Sequence, residues 1–138
     1  MKRILALDYG QKRVGVALSD PLGITAQSKP YLLNDAQLVK NISLLIQTYS
    51  VDQLIIGLPK DQHGGEGKKA AEIRQFSERL KKHIQIPIEF VDERFSTIAA
   101  EKHLVAAEVS RKKRKEKIDS LAAVFFLQGH LDKNTSGV

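Results

Sequence analysis

Acidic residues stand at three places where predicted buried elements begin or end, and their type and placement suit metal-assisted phosphodiester chemistry. Asp8 closes the first apolar run, Ile4–Leu7; Asp92 and Glu93 close the last, Ile88–Val91; Asp119 opens a final apolar helix. In a mixed α/β sheet the carboxyl ends of the first and the parallel strands gather on one side, where sites form. Carboxylates brought together there repel, and a pair about 4 Å apart at an effective dielectric of about 20 costs roughly 4 kcal/mol. Protons or a divalent cation must relieve this, and hard carboxylate oxygens suit Mg²⁺ or Mn²⁺. Two such ions roughly 4 Å apart activate a water and stabilise the leaving oxygen of a phosphodiester. Each acid also has a plainer role: a turn former before Gly10, a partner of Arg94, or a first-turn carboxylate favoured by the helix dipole.

The elements that must position these acids can be read from apolar spacing. Ile4–Leu7 lacks alternation, as a central strand covered on both faces does. Val14–Leu18 follows at hairpin distance, and Ser28–Leu33 contains Pro30, which marks a sheet edge because proline cannot donate to a ladder. Asn34 or Asp35 is expected to cap a helix to about Tyr49 with Leu38, Ile42, Leu45 and Ile46 inward, Gln37 completing a capping-box spacing from Asn34. A short strand, Leu54–Leu58, stops at Pro59, and Lys60–Gly67 is a glycine-bearing loop. Helices are then expected from about Lys68 to His83, with Ile73, Phe76 and Leu80 inward, and from Ser96 to about Ala107. The last, Ile118–Leu131, is apolar on most sides, with Asp119, Ala122, Ala123, Phe126 and Leu127 sharing one face. Three early strands followed by alternating helices and strands make an α/β sheet with an antiparallel beginning, expected as one domain over residues 1–138.

The chain carries 22 Lys and Arg against 16 Asp and Glu. The heptad Arg111-Lys112-Lys113-Arg114-Lys115-Glu116-Lys117 supplies five of the six surplus charges, so the rest of the chain is nearly neutral. Such concentrated charge repels itself unless an anion faces it, and a phosphate backbone is the commonest such partner. The plainer reading is a solvated loop. A membrane surface fits less well, because the heptad has no apolar residue to anchor it.

Other chemistries are excluded by composition or spacing. Cysteine is absent, which removes thiol catalysis, disulfides and thiolate zinc sites. No run approaches the ~20 apolar residues of a membrane span. Asp8 also cuts the N-terminal apolar stretch too early for a signal peptide, so the expected location is cytoplasmic. Gly65-Glu66-Gly67-Lys68-Lys69-Ala70 imitates a dinucleotide fingerprint, but Pro59–Gly64 separates it from its strand. A P-loop fails at Gln62 and Lys69, and the histidines at 63, 83, 103 and 130 show no ligand spacing. With no Trp and 6% aromatic residues, base-stacking platforms are not evident.

Four motifs together resemble the YqgF (RuvX-like) family. They are Asp8-Tyr9-Gly10-Gln11-Lys12-Arg13-Val14-Gly15, Gly57-Leu58-Pro59, Asp92-Glu93-Arg94-Phe95-Ser96-Thr97, and Lys117-Ile118-Asp119-Ser120-Leu121-Ala122-Ala123 with Leu127-Gln128. The resemblance spans almost the whole chain in order. It implies an RNase H-like fold with sheet order 3-2-1-4-5 and strand 2 antiparallel. It also implies a nuclease using Mg²⁺ or Mn²⁺, acting on the 5′ end of pre-16S ribosomal RNA, within a ribosomal precursor particle, or on branched DNA as a Holliday-junction resolvase. The acids it carries over are Asp8, Glu93 and Asp119, with Asp92 left open as a further ligand. Gly57-Leu58-Pro59 stands where RNase H-like resolvases keep a carboxylate. Arg13, Arg94 and the bases Arg111, Lys112, Lys113, Arg114, Lys115 and Lys117 are the expected phosphate contacts. Two other classes stay open on the residues alone: a non-catalytic nucleic-acid-binding module, and one lobe of an actin-like phosphotransferase.

Overall fold

The structure is a computed structural model that describes residues 3–60, 63–92 and 111–135, the last span as backbone alone at 111–119 and 134–135. The expected helix Ser96–Ala107 lies outside the described residues. Five strands form one sheet: β1 (Ile4–Tyr9), β2 (Arg13–Ser19), β3 (Ala26–Leu33), β4 (Gln53–Leu58) and β5 (Ile88–Asp92), in the order β3-β2-β1-β4-β5. β2 runs antiparallel to β1 and β3, while β4 is parallel to β1 and β5. The expected order holds, and Pro30 lies on an edge strand.

Alternation along the central strands sends side chains to two different cores. Leu5, Leu7, Val14, Val16, Leu18, Leu54, Ile56 and Leu58 pack under α1 (Leu38–Thr48) and α2 (Lys68–Lys81), where Ile42, Ile73, Phe76 and Leu80 are fully buried. Ile4, Ala6, Ala17 and Ile55 face the other way, against Ala123, Phe126, Leu127 and Leu131 of α3 (Arg111–Thr135). The small side chains Ala6, Ala17, Ala122 and Ala123, all buried, let α3 approach the sheet closely. Truncating Phe76, the largest fully buried side chain, would cost about 3–5 kcal/mol.

Two expectations need correction. The Asn34–Gln37 capping box does not form: the α1 N-cap is Gln37 and makes no side-chain cap bond. The Asn34 amide instead donates to the Gly10 carbonyl at 2.7 Å, and Asp35 Oδ1 accepts the Gln37 N–H at 2.9 Å. The local cap was outcompeted by a partner 24 residues away. Secondly, the final helix already includes Arg111 rather than starting at Ile118, so the basic heptad is helical and not a loop. Lys and Arg are good helix formers, so charge alone does not stop a helix.

Candidate active site

Asp8 is the fifth residue of β1, half-buried, and shares the strand face of Ile4 and Ala6, the side covered by α3. Its antiparallel partner is Gly15. On the other side β1 and β4 are in register up to Leu7–Ile56, and one step further sets Gly57 beside Asp8. Gly57 in turn pairs with Val91 of β5. Both lateral neighbours of Asp8 on this face are therefore glycines, and the floor beside the carboxylate carries no side chain. The flanking residues Val14, Val16, Ile56 and Leu58 all belong to the opposite core.

Helix α3 is fastened to β3 through Ser120, the residue after Asp119. The Ser120 hydroxyl donates to the Lys29 carbonyl on β3 at 3.0 Å. Lys29 pairs with Val16, the neighbour of Gly15. Further along, Gln128 Oε1 accepts the Ala26 N–H at 2.9 Å, and its amide donates to the Ile24 carbonyl and to Asp132 Oδ1, each at 2.9 Å. Ala122 and Ala123 are fully buried and Phe126 nearly so, as the spacing predicted; Asp119 stands one turn before the alanines on that stripe. The Asp119 side chain, those of Arg111–Lys117, and Glu93 and Arg94 altogether lie outside the described residues.

Asp92 is placed differently. It ends β5, is exposed, and pairs with Leu58, whose side chain belongs to the α1/α2 core. Phe90, two residues earlier, packs on that same core, whereas Val91 packs on the α3 side. Alternation thus sets Asp92 on the opposite strand face from Asp8.

The β1–β2 turn that follows Asp8 is tightly drawn. A Cβ on Gly10 would fall 2.6 Å from the Arg13 carbonyl oxygen, closer than side-chain carbons come to backbone. Arg13 opens β2, on the face of Gly15 and Ala17, and its guanidinium carbon lies 5.3 Å from the centre of the Tyr31 ring. Opposite Gly15 the β2–β3 register shifts between Val14 and Val16, so two residues of β3, Pro30 and Tyr31, face one residue of β2.

The loop before α2 is anchored at its end. Glu66 accepts both Arg74 Nε and Nη2 at 2.7 Å, and the Arg74 guanidinium also lies 4.8 Å from the Phe90 ring centre. The hydrogen bonds from Arg74 hold the Glu66 carboxyl below its ordinary pKa and raise that of Arg74. Asp20 is lowered too, chiefly by the Thr25 N–H, which with the Ile24 N–H closes the β2–β3 loop. Gly67 caps α2 with open space around its Cβ position, unlike the close-approach glycine of a dinucleotide fingerprint. No helix among the described residues is long and apolar enough to cross a membrane.

Sequence reasoning passed over the glycines beside Asp8, the parity of Asp92, and Tyr31. Counting alternate residues outward from Asp8 and Val91 would have found the first two; Tyr31 needed the β2–β3 pairing.

Comparison with solved structures defines the class of fold. Thermus thermophilus RuvC in complex with a Holliday junction substrate is similar at a TM-score of 0.56 and 11% identity, covering 98% of this chain and 96% of RuvC. The Fowlpox virus resolvase in complex with Holliday junction DNA gives 0.54 and 14%, covering 96% and 98%. The chain thus has the RNase H-like fold of these resolvases. A family model described as RuvX, Holliday junction resolvase, matches residues 2–133. A Sulfurihydrogenibium protein is 49% identical over 135 residues, covering 96% of this chain and 92% of that protein. One from Desulforamulus reducens is 46% identical over 132 residues, covering 94% and 96%. Both bear the provisional name pre-16S rRNA nuclease. The chain belongs to the YqgF (RuvX-like) family.

Proposed function

We propose that this chain is a divalent-metal-dependent nuclease, one catalytic domain over residues 1–138, that hydrolyses phosphodiester bonds at the 5′ end of pre-16S ribosomal RNA in the cytoplasm. The observation that carries the reading is the half-buried Asp8 carboxylate on the strand face covered by α3, with glycines, Gly15 and Gly57, at its neighbouring strand positions, and with the residue after Asp119, Ser120, bonded to β3. The names of the relatives supply the substrate.

The donor set fits Mg²⁺ or Mn²⁺: hard carboxylate oxygens from Asp8, Glu93 and Asp119, without a nitrogen or sulfur ligand. Asp92 lies on the strand face opposite Asp8, which leaves Glu93, the acid carried over by the family resemblance, as the proposed second ligand. When bound, a pair of such ions would polarise the scissile phosphate and lower the pKa of the attacking water. The chain's own residues do the rest. Asp8 sits on a central strand, paired with Gly15 on one side and one step past the last β4 pair on the other, which fixes the backbone that carries its carboxylate. With glycine at both lateral positions, neither neighbouring strand sets a side chain against the Asp8 carboxylate. Arg13 stands on that face to meet a neighbouring phosphate, and Arg94 serves similarly.

The basic heptad grips the nucleic acid beyond the scissile bond. Its charge density supports this: six of its seven residues are bases on one continuous helix, α3. The ribosomal precursor particle is the partner this substrate implies.

The family's description favours a second substrate, the four-way DNA junction. A cleavage assay with Mg²⁺ on pre-16S rRNA and on a four-way junction, side by side, tests both. Cleavage of the RNA that disappears in Asp8→Asn and Asp119→Asn, with melting nearly unchanged, is the expected result. Cleavage of the junction alone would assign the second substrate, and cleavage of neither would overturn the nuclease reading.

A further inference from the structure

The rim of the sheet beside Asp8 carries an aromatic ring that no core claims. Tyr31 lies on β3, an edge strand, and keeps 39% of its surface exposed; Leu33, two residues on, is 58% exposed. By contrast Tyr9, at the end of β1, is packed in the α1/α2 core with its ring centre 4.5 Å from that of Phe76. The bulge opposite Gly15 decides where Tyr31 stands. Lys29 pairs with Val16 and Leu32 with Val14, and Leu32 packs on the α1/α2 core, so its neighbours Tyr31 and Leu33 alternate to the other side, that of Asp8. Arg13, on that same face, lies over the Tyr31 ring.

We infer that Tyr31 and Arg13 form a stacking platform for one unpaired nucleotide next to the Asp8 site. The inference deepens the nuclease reading, on which it rests, by naming the strand state taken up at the rim. A guanidinium over an aromatic ring is attracted by its π-face and holds the ring in one orientation. A ring so held and still open to solvent offers a surface on which any base can stack. Pro30, immediately before it, has a fixed φ and no N–H, so this stretch of edge cannot extend the ladder to another strand. Charge agrees with an anionic occupant: Lys12 and Arg13 are consecutive at the turn, and the heptad of α3 belongs to the helix that Ser120 fastens to β3. A base-paired nucleotide has its faces buried in the duplex stack, so the platform selects a single-stranded or frayed position flanking the scissile bond.

The test is binding with the metal removed, which separates it from catalysis. A fluorescein-labelled single-stranded RNA 12-mer and its fully paired duplex are titrated in EDTA with wild type, Tyr31→Ala and Tyr31→Phe. Tyr31→Ala should weaken single-strand binding roughly five- to 150-fold, the range for loss of one base–aromatic stack, and leave duplex binding within about twofold. Tyr31→Phe should bind like wild type. Because the chain has no Trp, Tyr31→Trp gives a single-site signal whose emission should be quenched by the single strand. Equal single-strand affinity for Tyr31→Ala and wild type, or an unquenched Tyr31→Trp complex, would overturn the platform and leave the nuclease reading standing. Failure of wild type to bind the single strand would overturn the platform too, while the nuclease reading stands or falls by the cleavage assay.

Discussion

Asn34 holds Gly10: its side-chain amide donates to the Gly10 carbonyl at 2.7 Å, and its own N–H bonds the Lys12 carbonyl at 2.9 Å. The segment leaving β3 thereby clamps the turn that follows Asp8. Asn34→Ala removes the first bond and should cost about 0.5–1.5 kcal/mol of stability, read as a lowered urea midpoint at constant slope. An unchanged midpoint would mean that the clamp contributes nothing.

Gly10 is needed for space rather than for an unusual backbone angle. A methyl group there would meet the Arg13 carbonyl oxygen at 2.6 Å, and backbone has little freedom to yield. Gly10→Ala should destabilise by about 1–3 kcal/mol, as overpacking does. Gly67→Ala, whose added carbon meets nothing within 4 Å, should stay within about 0.5 kcal/mol of wild type. Denaturant melts of the two variants check the contrast, and equal losses would refute it.

The heptad predicts a salt dependence. Neutralising Arg111, Lys112, Lys113 and Arg114 to Gln should flatten the slope of log affinity against log salt by about 0.9 for each lost contact on a duplex, or about 0.7 on a single strand. Binding isotherms at several salt concentrations measure this directly. A slope equal to that of wild type would leave these residues facing water.

The Glu66–Arg74 pair predicts an acid-side effect. The folded pKa of Glu66 lies below its ordinary value of 4.5, so the unfolded chain takes up this proton first as pH falls. The contribution of the pair is complete above that ordinary value and is lost as pH drops through the lower folded one. Glu66→Gln should therefore melt slightly below wild type at neutral pH, and the two should converge in acid. The depressed Asp20 is common to both proteins and cancels in the difference. A gap that persists into strong acid would contradict the assignment.

The antiparallel beginning of the sheet and the inward faces of α1 and α2 were legible in the sequence because they follow from periodicity, whereas the full strand order came from the family resemblance. Pro30 announced the edge, and Ile73, Phe76 and Leu80 announced the face that α2 buries. The helical state of the basic heptad was not legible, because six bases in seven residues read equally well as a loop or as exposed helical turns. The Asn34 cap failed for a non-local reason: its amide found the Gly10 carbonyl, which no local pattern contains. The candidate acids were singled out by type and by their place at predicted element ends. The bare floor beside Asp8 was not, since Gly15 and Gly57 become its neighbours only through the register of three strands.

The central claim is that Asp8, Glu93 and Asp119 share one cation site. It is tested most directly by replacing the metal with Fe²⁺ and mapping the oxidative backbone cuts made with ascorbate and peroxide, no nucleic acid being present. Cuts clustered near residues 8, 93 and 119, competed away by Mg²⁺ and lost in Asp8→Asn, are the predicted result. Cuts near only one of the three, or a pattern unchanged in Asp8→Asn, would contradict it.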